Sequence, residues 1–153
     1  MKRIGLISDT HRLLRPEAVA ALQGCLHIVH AGDIVDPSNL TQLAQIAPVT
    51  AVRGNNDKGA WAGRLRETET LTVSGVTLFV IHDLKLLKPK DLPAGVRVVV
   101  SGHSHKPQVR DEAGVLYVNP GSAGPRRFKL PVSVAELVVL PGGEIEARLL
   151  RIV

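Results

Sequence analysis

Short apolar runs bounded by small polar residues punctuate the chain, and their spacing changes from one region to the next. Residues 3–8 read as a buried strand, and residues 16–23 as a helix that opens on Pro16 and stops at Gly24. A second strand over 26–31 leads through Gly32-Asp33 to another helix. Asp36 is its expected N-cap and Pro37 its first residue, with Leu40, Leu43, Ala44 and Ala47 along one face. Residues 49–52 form a third strand. Strands separated by short helices imply right-handed crossovers and a mostly parallel sheet.

Beyond Trp61 the pattern turns to hairpins. Residues 69–73 and 76–81 flank Ser74-Gly75, a usable two-residue turn, so antiparallel pairing is expected there. Further strands are predicted at 96–100, at 108–110 with 116–118, and at 132–140 with 144–152 across Pro141-Gly142-Gly143. Residues 85–93, with two prolines and four charges, fit either one helical turn or a loop. So many strands in 153 residues predict two packed sheets with helices outside.

Composition narrows the class. A chain of this length is expected to be a single domain, residues 1–153, and 44% hydrophobic residues with 22% charge suit a globular core. The longest apolar run, 134–140, is broken by Glu136 and too short to span a bilayer. The basic start Met1-Lys2-Arg3 is followed by too few apolar residues for a signal sequence, so a cytoplasmic protein with no membrane partner is expected. The single Cys25 closes no intramolecular disulfide and sits among Leu22, Leu26 and Ile28 in what reads as core. A net charge of +5 favours anionic partners, with a solvated basic surface as the plain alternative. Aromatics are only 3% and scattered, so nucleic acid as a partner is not supported. No feature sets the oligomeric state, and a homodimer is compatible with the sequence.

The candidate chemistry lies just past the carboxyl ends of the predicted strands. These read Ser8-Asp9-Thr10-His11, His30-Ala31-Gly32-Asp33, Gly54-Asn55-Asn56-Asp57, His82-Asp83 and Gly102-His103-Ser104-His105. In α/β sheets the ligand crevice lies outside those ends. Singly, each group has an ordinary structural explanation as a cap, a turn or a satisfied loop residue. Their joint occurrence at five strand ends does not. In extended chain, residues i and i+2 face the same side, so Asp9 with His11, and His103 with His105, each form a two-atom clamp. With Asp33, Asn55 and His82 the set reaches seven donors, too many for one tetrahedral zinc and suited to two metals sharing a carboxylate. The mixed nitrogen and oxygen set accepts Mn²⁺, Fe²⁺, Zn²⁺, Co²⁺ or Ni²⁺. His27 and His30 lie inside a strand and are assigned to structure.

In order along the chain, "SDTH" (8–11), "AGDIVD" (31–36), "RGNND" (53–57), "IHD" (81–83), "SGHSH" (101–105) and "NPGS" (119–122) with Pro125-Arg126 make up a set that resembles the calcineurin-like metallophosphoesterases. The closest resemblance is to their small YfcE-like phosphodiesterases. It implies an α/β fold of four αββα layers, two mixed β-sheets flanked by helices, around a dinuclear site. By the same resemblance Asp9, His11, Asp33 and His105 would hold one metal and Asp33, Asn55, His82 and His103 the other, Asp33 bridging. The expected activity is hydrolysis of a small phosphodiester by in-line attack of a hydroxide between two divalent metals, with Mn²⁺ first among them. Where many relatives carry a leaving-group histidine this chain has Asn56, which can donate a hydrogen bond but no proton. Candidate substrate contacts are Asn56, Arg12, Ser122 and Arg126. Trp61 either caps the crevice or packs under its loop, and Asp57 is expected to anchor that loop. The alternatives are a protein-interaction scaffold, like the retromer subunit of this fold, and a nuclease or phosphoprotein phosphatase. Retention of all seven donor positions favours the enzyme.

Overall fold

The computed structural model describes residues 1–153. In chain order the elements are β1 (Lys2–Ile7), α1 (Pro16–Ala21), β2 (His27–His30), α2 (Ser38–Ala44), β3 (Val49–Ala51), β4 (Thr68–Val73), β5 (Val76–Ile81), β6 (Val98–Val100), β7 (Gln108–Glu112), β8 (Val115–Asn119), β9 (Ser133–Val139) and β10 (Ile145–Arg151). Short 3-10 turns occupy Ala62–Arg64, Leu84–Leu86 and Pro89–Asp91.

Two five-stranded mixed sheets form, in the orders β10-β9-β1-β2-β3 and β4-β5-β6-β8-β7. In the first sheet β1, β2 and β3 run parallel, as their helical crossovers require, and β9-β10 adds an antiparallel hairpin at β1. The second sheet bears out the antiparallel hairpin expected at 69–81 and the mixed sheets the resemblance implies, but the hairpin pattern does not continue through it. Only β4-β5 and β7-β8 are antiparallel, whereas β5-β6 and β6-β8 are parallel. The reason is the long connection from Ile81 to Val98, which is ample for a crossover although it holds two 3-10 turns and no α-helix.

Alternating residues of both sheets meet in one core, with Ile4, Leu6, Val29, Leu137 and Val139 from the first sheet facing Leu78, Val80, Val98, Val100 and Val118 from the second. The outer face of the first sheet is closed by α1 and α2 through Ala18, Leu22, Cys25 and Leu43 on Ile7, Ile28 and Val134. Gly5 permits that approach, because a Cβ there would stand 2.6 Å from Leu22 Cδ2. On the second sheet Phe79, Ile81 and Val99 are covered by Leu84, Leu87 and Leu92 of the 3-10 turns, so that outer layer is the thinner one. The second helix starts one residue later than predicted, at Ser38 after Pro37. Asp36 still serves it, since its Oδ1 accepts the Ser38 N–H at 2.9 Å. No helix is long and apolar enough to cross a membrane.

Candidate metal centre

All seven predicted donors follow the carboxyl ends of parallel strands from both sheets: Asp9 and His11 after β1, Asp33 after β2, Asn55 after β3, His82 after β5, His103 and His105 after β6. The local reason differs from the expected one. The two clamps are not extended chain, because Asp9, His11, Asp33, His103 and His105 all have φ between 50° and 69°. Non-glycine residues in this region cost on the order of 1 kcal/mol each, and five among seven proposed donors marks a functional site. The loops are held by Asp9 N–H to Gly32 O (3.0 Å), His11 N–H to Asp33 O (2.9 Å), Gly102 N–H to His82 O (3.0 Å) and His103 N–H to Asp9 Oδ2 (3.1 Å).

The donor atoms crowd together in a way that asks for a cation. His82 donates its Nδ1–H to Ala31 O at 2.7 Å, so its Nε2 faces Asn55 Oδ1 at 3.0 Å and Asp33 Oδ2 at 3.4 Å, both acceptors. His103 Nδ1 lies 3.2 Å from the same Asn55 oxygen. His11 Nε2 stands 4.0 Å from Asp33 Oδ2, and His105 Nε2 3.3 Å from Asp9 Oδ1. Asp9 Oδ1, His11 Nε2 and His105 Nδ1 are buried without a hydrogen-bond partner. Buried polar atoms are seldom left so, and three in one cluster fit divalent cations. Ligand atoms of Asp9, His11 and His105, and of Asp9, Asp33 and His82, lie within 4.8 Å of one another. Asp33 Oδ2 lies within reach of both His82 and His11, the place expected of a bridge, while Asp9 belongs to both groups.

Electrostatics follow the geometry. Burial alone would raise the pKa of Asp33, but the hydrogen bonds to His82 and Asn56 outweigh it and hold the carboxyl far below its ordinary range. At Asp9 burial is likewise outweighed, by His105 and Ser8, leaving its pKa lowered. Burial lowers the pKa of His82, yet Asp33 and Asp9 raise it above the usual histidine value on balance. Both carboxylates are therefore ionised and ready to ligate.

A ring of supporting residues fixes these donors. The Asp57 carboxylate accepts N–H bonds from Asp33 (3.0 Å), Ile34 (2.8 Å), Val35 (2.7 Å) and Gly54 (2.8 Å), the anchoring expected of it. Gly54 lies so close to Asp33 that a Cβ would overlap the Asp33 backbone nitrogen and Oδ1, and Gly102 is pressed likewise on Ser8 and Asp9. Ser8 Oγ donates to Asp9 Oδ2 at 2.7 Å, and Asn119 Nδ2 donates to Gly102 O and Ser104 Oγ. The supporting roles of Ser8 and Asn119 have no sequence signal beyond their place inside the "SDTH" and "NPGS" stretches. His30 is fully buried and structural, as expected. Its Nδ1 accepts the Gly32 N–H, so its Nε2–H donates to Thr10 Oγ1 at 3.0 Å, and burial pushes its pKa down to about 4. His27 Nε2 pairs with Thr50 Oγ1 at 2.8 Å.

The predicted substrate contacts fare differently. Asn56 turns inward, its N–H on Asp33 Oδ1 (2.8 Å) and its Nδ2 on Asp33 Oδ2 (2.9 Å), so its place is on the carboxylate rather than on a leaving group. Ser122 is buried and its Oγ donates to Asp9 O at 3.0 Å, which makes it a support of the first clamp. Arg12 and Arg126 are exposed and line neither cavity at the site. Trp61 is half-buried against Gly59, outside both cavities, and does not cap the crevice. Those two cavities open on either side of His103. One, of 340 Å³, is bounded by Arg53, Asn55, Glu67, Ile81 and Leu86; the other, of 480 Å³, by Lys85, Lys106, Gln108, Tyr117 and Asn119.

Residues 1–140 match the family model described as the calcineurin-like phosphoesterase superfamily domain. The chain belongs to this superfamily. A probable metallophosphoesterase of Methanothermobacter thermautotrophicus is 36% identical over 159 residues, covering 97% of this chain and 91% of that protein. Among solved structures, a novel archaeal phosphodiesterase superposes with a TM-score of 0.78 at 21% identity, covering 97% of this chain and 99% of that one. The YfcE phosphoesterase of E. coli gives 0.69 at 24% (99% and 100%), and vacuolar protein sorting 29 of Cryptosporidium parvum gives 0.75 at 19% (97% and 96%). At such identities the structural likenesses bear on the fold, which is that of the calcineurin-like phosphoesterases. Family membership makes the chain a phosphoesterase of the metal-dependent kind, and the unpartnered buried atoms of Asp9, His11 and His105 fit the divalent ions this implies.

Proposed function

We propose that the protein is a phosphodiesterase working with two divalent transition-metal ions, Mn²⁺ first among them. Asp9, His11, Asp33 and His105 would hold one ion, and Asp33, Asn55, His82 and His103 the other. The observation that carries this reading is the donor cluster itself, in which ligating atoms of Asp9, His11, Asp33, His82 and His105 converge and three buried polar atoms lack any partner. When bound, the ions supply Lewis-acid polarisation of the phosphoryl oxygens and an activated water.

The chain's own residues define what that chemistry can act on. Asn56 keeps Asp33 ionised and aimed, through one backbone and one side-chain donor. Being an amide, it delivers no proton, so nothing at position 56 assists a poor leaving group. General acid help is worth about 10²–10⁴ in rate, and diesters of acidic alcohols should be cleaved faster than alkyl diesters by about that factor. The cavities flanking His103 provide room for both ester arms, which supports a diester over a monoester. The superposable archaeal phosphodiesterase agrees with this choice.

Metal analysis and a paired assay test the reading. Protein loaded with Mn²⁺ should hold two ions per chain and cleave bis(p-nitrophenyl) phosphate well ahead of p-nitrophenyl phosphate. Asp33→Ala should lose both metal and hydrolysis, and an Asp33→Ala protein that kept both would overturn the assignment. A chain that takes up no metal and is inert would instead be a protein-interaction scaffold.

A further inference from the structure

We propose that the cavity between the 83–85 turn and the 102–106 loop is an anion subsite, taking a second negatively charged group carried on one alcohol arm of the diester. This rests on the phosphodiesterase reading above and names the substrate class within it: diesters with one neutral, acidic-alcohol arm and one anionic arm.

The two cavities share part of their lining. His103 and Asp83 line both, so the cavities meet at the imidazole on the open side of the metal cluster. The His103 side chain is 44% exposed, against 6% for His82 and 4% for His105, so substrate meets it first. A phosphate seated at the cluster therefore sends its two ester oxygens toward different walls.

Those walls differ in charge. In the smaller cavity Arg53 is offset by Glu67, with Nη2 3.2 Å from Oε1, and Ile81 and Leu86 supply apolar surface. No uncompensated cation remains there, which suits a neutral aryl or alkyl arm. In the larger cavity Lys85 and Lys106 are the cations and Asp83 the only carboxylate. Neither lysine has a carboxylate within ion-pair distance, so both charges are unspent. The Asp83 carboxylate, whose Oδ1 accepts the Lys85 N–H at 3.1 Å and whose Oδ2 stands 3.8 Å from His103 Nε2, offsets one of the two lysines, so the wall keeps a net positive charge.

The backbone that presents both lysines is held in place. Asp83 fixes the turn that presents Lys85, and the Lys106 N–H donates to Ser104 Oγ, which Asn119 Nδ2 holds from below. Tyr117 lines the same cavity, and the Arg110 guanidinium, 4.5 Å from its ring centroid, is paired with Glu112 and adds no free charge. A volume of 480 Å³ admits a charged group together with its linker.

The test uses Mn²⁺-loaded full-length protein and two diesters that differ only in charge, p-nitrophenyl butyl phosphate and p-nitrophenyl 3-carboxypropyl phosphate. The charged arm should raise kcat/KM on the order of tenfold at low salt, mainly through KM, and the advantage should shrink as ionic strength rises. In Lys85→Gln/Lys106→Gln the ratio of the two kcat/KM values should fall to about one, Lys85→Arg/Lys106→Arg should restore it, and Lys90→Gln, outside the cavity, should not move it. Equal kcat/KM values in the wild type, or a ratio unmoved by the double substitution, would overturn the proposal. Direct binding of the monoesters butyl phosphate and 3-carboxypropyl phosphate separates this from the reading it rests on. If neither diester is cleaved, the phosphodiesterase reading fails. A lysine-dependent preference for the charged monoester then still establishes the subsite, and equal binding removes it.

Discussion

Asp57 carries a large share of the site without touching the reacting centre. One carboxylate accepts four backbone N–H groups that otherwise have no partner, three of them on consecutive residues 33–35, of which Asp33 and Val35 are at positive φ. Leaving buried donors unsatisfied costs about 1–3 kcal/mol each. Asp57→Ala should therefore lower stability by at least about 3 kcal/mol in urea unfolding, and weaken Mn²⁺ binding in parallel. Asp57→Asn, which keeps the shape but turns an N–H₂ toward those donors, should cost about 2 kcal/mol. An Asp57→Ala protein with wild-type stability and wild-type metal uptake would contradict this role. Residue identities at the site were legible because chemistry leaves few substitutes: Asp, His and Asn past strand ends have little else in common. The conformation was not legible, since nothing in Asp9-Thr10-His11 distinguishes an extended pair from one at positive φ. Asn56 was read from its chemistry alone, and its inward turn onto Asp33 depends on the fold of the neighbouring loop.

At the scale of elements, the first clamp is tied to the sheet by a network that joins β1, β2 and α2. Thr10 Oγ1 receives His30 Nε2–H at 3.0 Å and Asn39 Nδ2–H at 3.1 Å, and Asn39 also donates to His11 O and Ile34 O. The network needs a neutral His30. Burial has moved its pKa from 6.5 to about 4, so on acidification the unfolded chain takes up this proton first. Stability from this group is complete above about pH 6.5 and is lost as pH falls toward 4, by roughly 3 kcal/mol over the window. Urea midpoints of metal-free protein between pH 7 and pH 4 should fall more steeply for the wild type than for His30→Gln, and identical slopes would remove the argument. The strand pattern predicted these elements to within one or two residues at most boundaries. It does not by itself show the parallel pairing of β5 with β6 and of β6 with β8, because hairpin signals are local; the β5-β6 crossover is covered by Leu84, Leu87 and Leu92 on Phe79 and Val99, and β6 reaches β8 by way of the β7 edge strand.

For the molecule as a whole, the proposed centre lies where the two sheets meet at one end. Asp9, His11, Asp33 and Asn55 come from the first sheet, while His82, His103 and His105 come from the second. Away from that end the sheets are joined by an apolar core, so an ion at the centre would add a polar tie between halves otherwise held by non-directional packing. It would also neutralise Asp9 and Asp33, whose charges are buried and otherwise compensated only by histidines. Binding to the folded state alone stabilises by about 2.7 kcal/mol per site at a hundredfold excess over Kd, and for a chain of this size each kcal/mol shifts Tm by about 2–4 °C. Saturating Mn²⁺ at both sites should accordingly raise the thermal midpoint by on the order of 10–20 °C, and EDTA should reverse the gain. In Asp33→Ala the shift should collapse, since the carboxylate that reaches toward both His11 and His82 is gone. An unchanged shift in that variant would mean that the stabilising ion sits elsewhere, and an absent shift in the wild type would mean that the seven donors close on each other without metal.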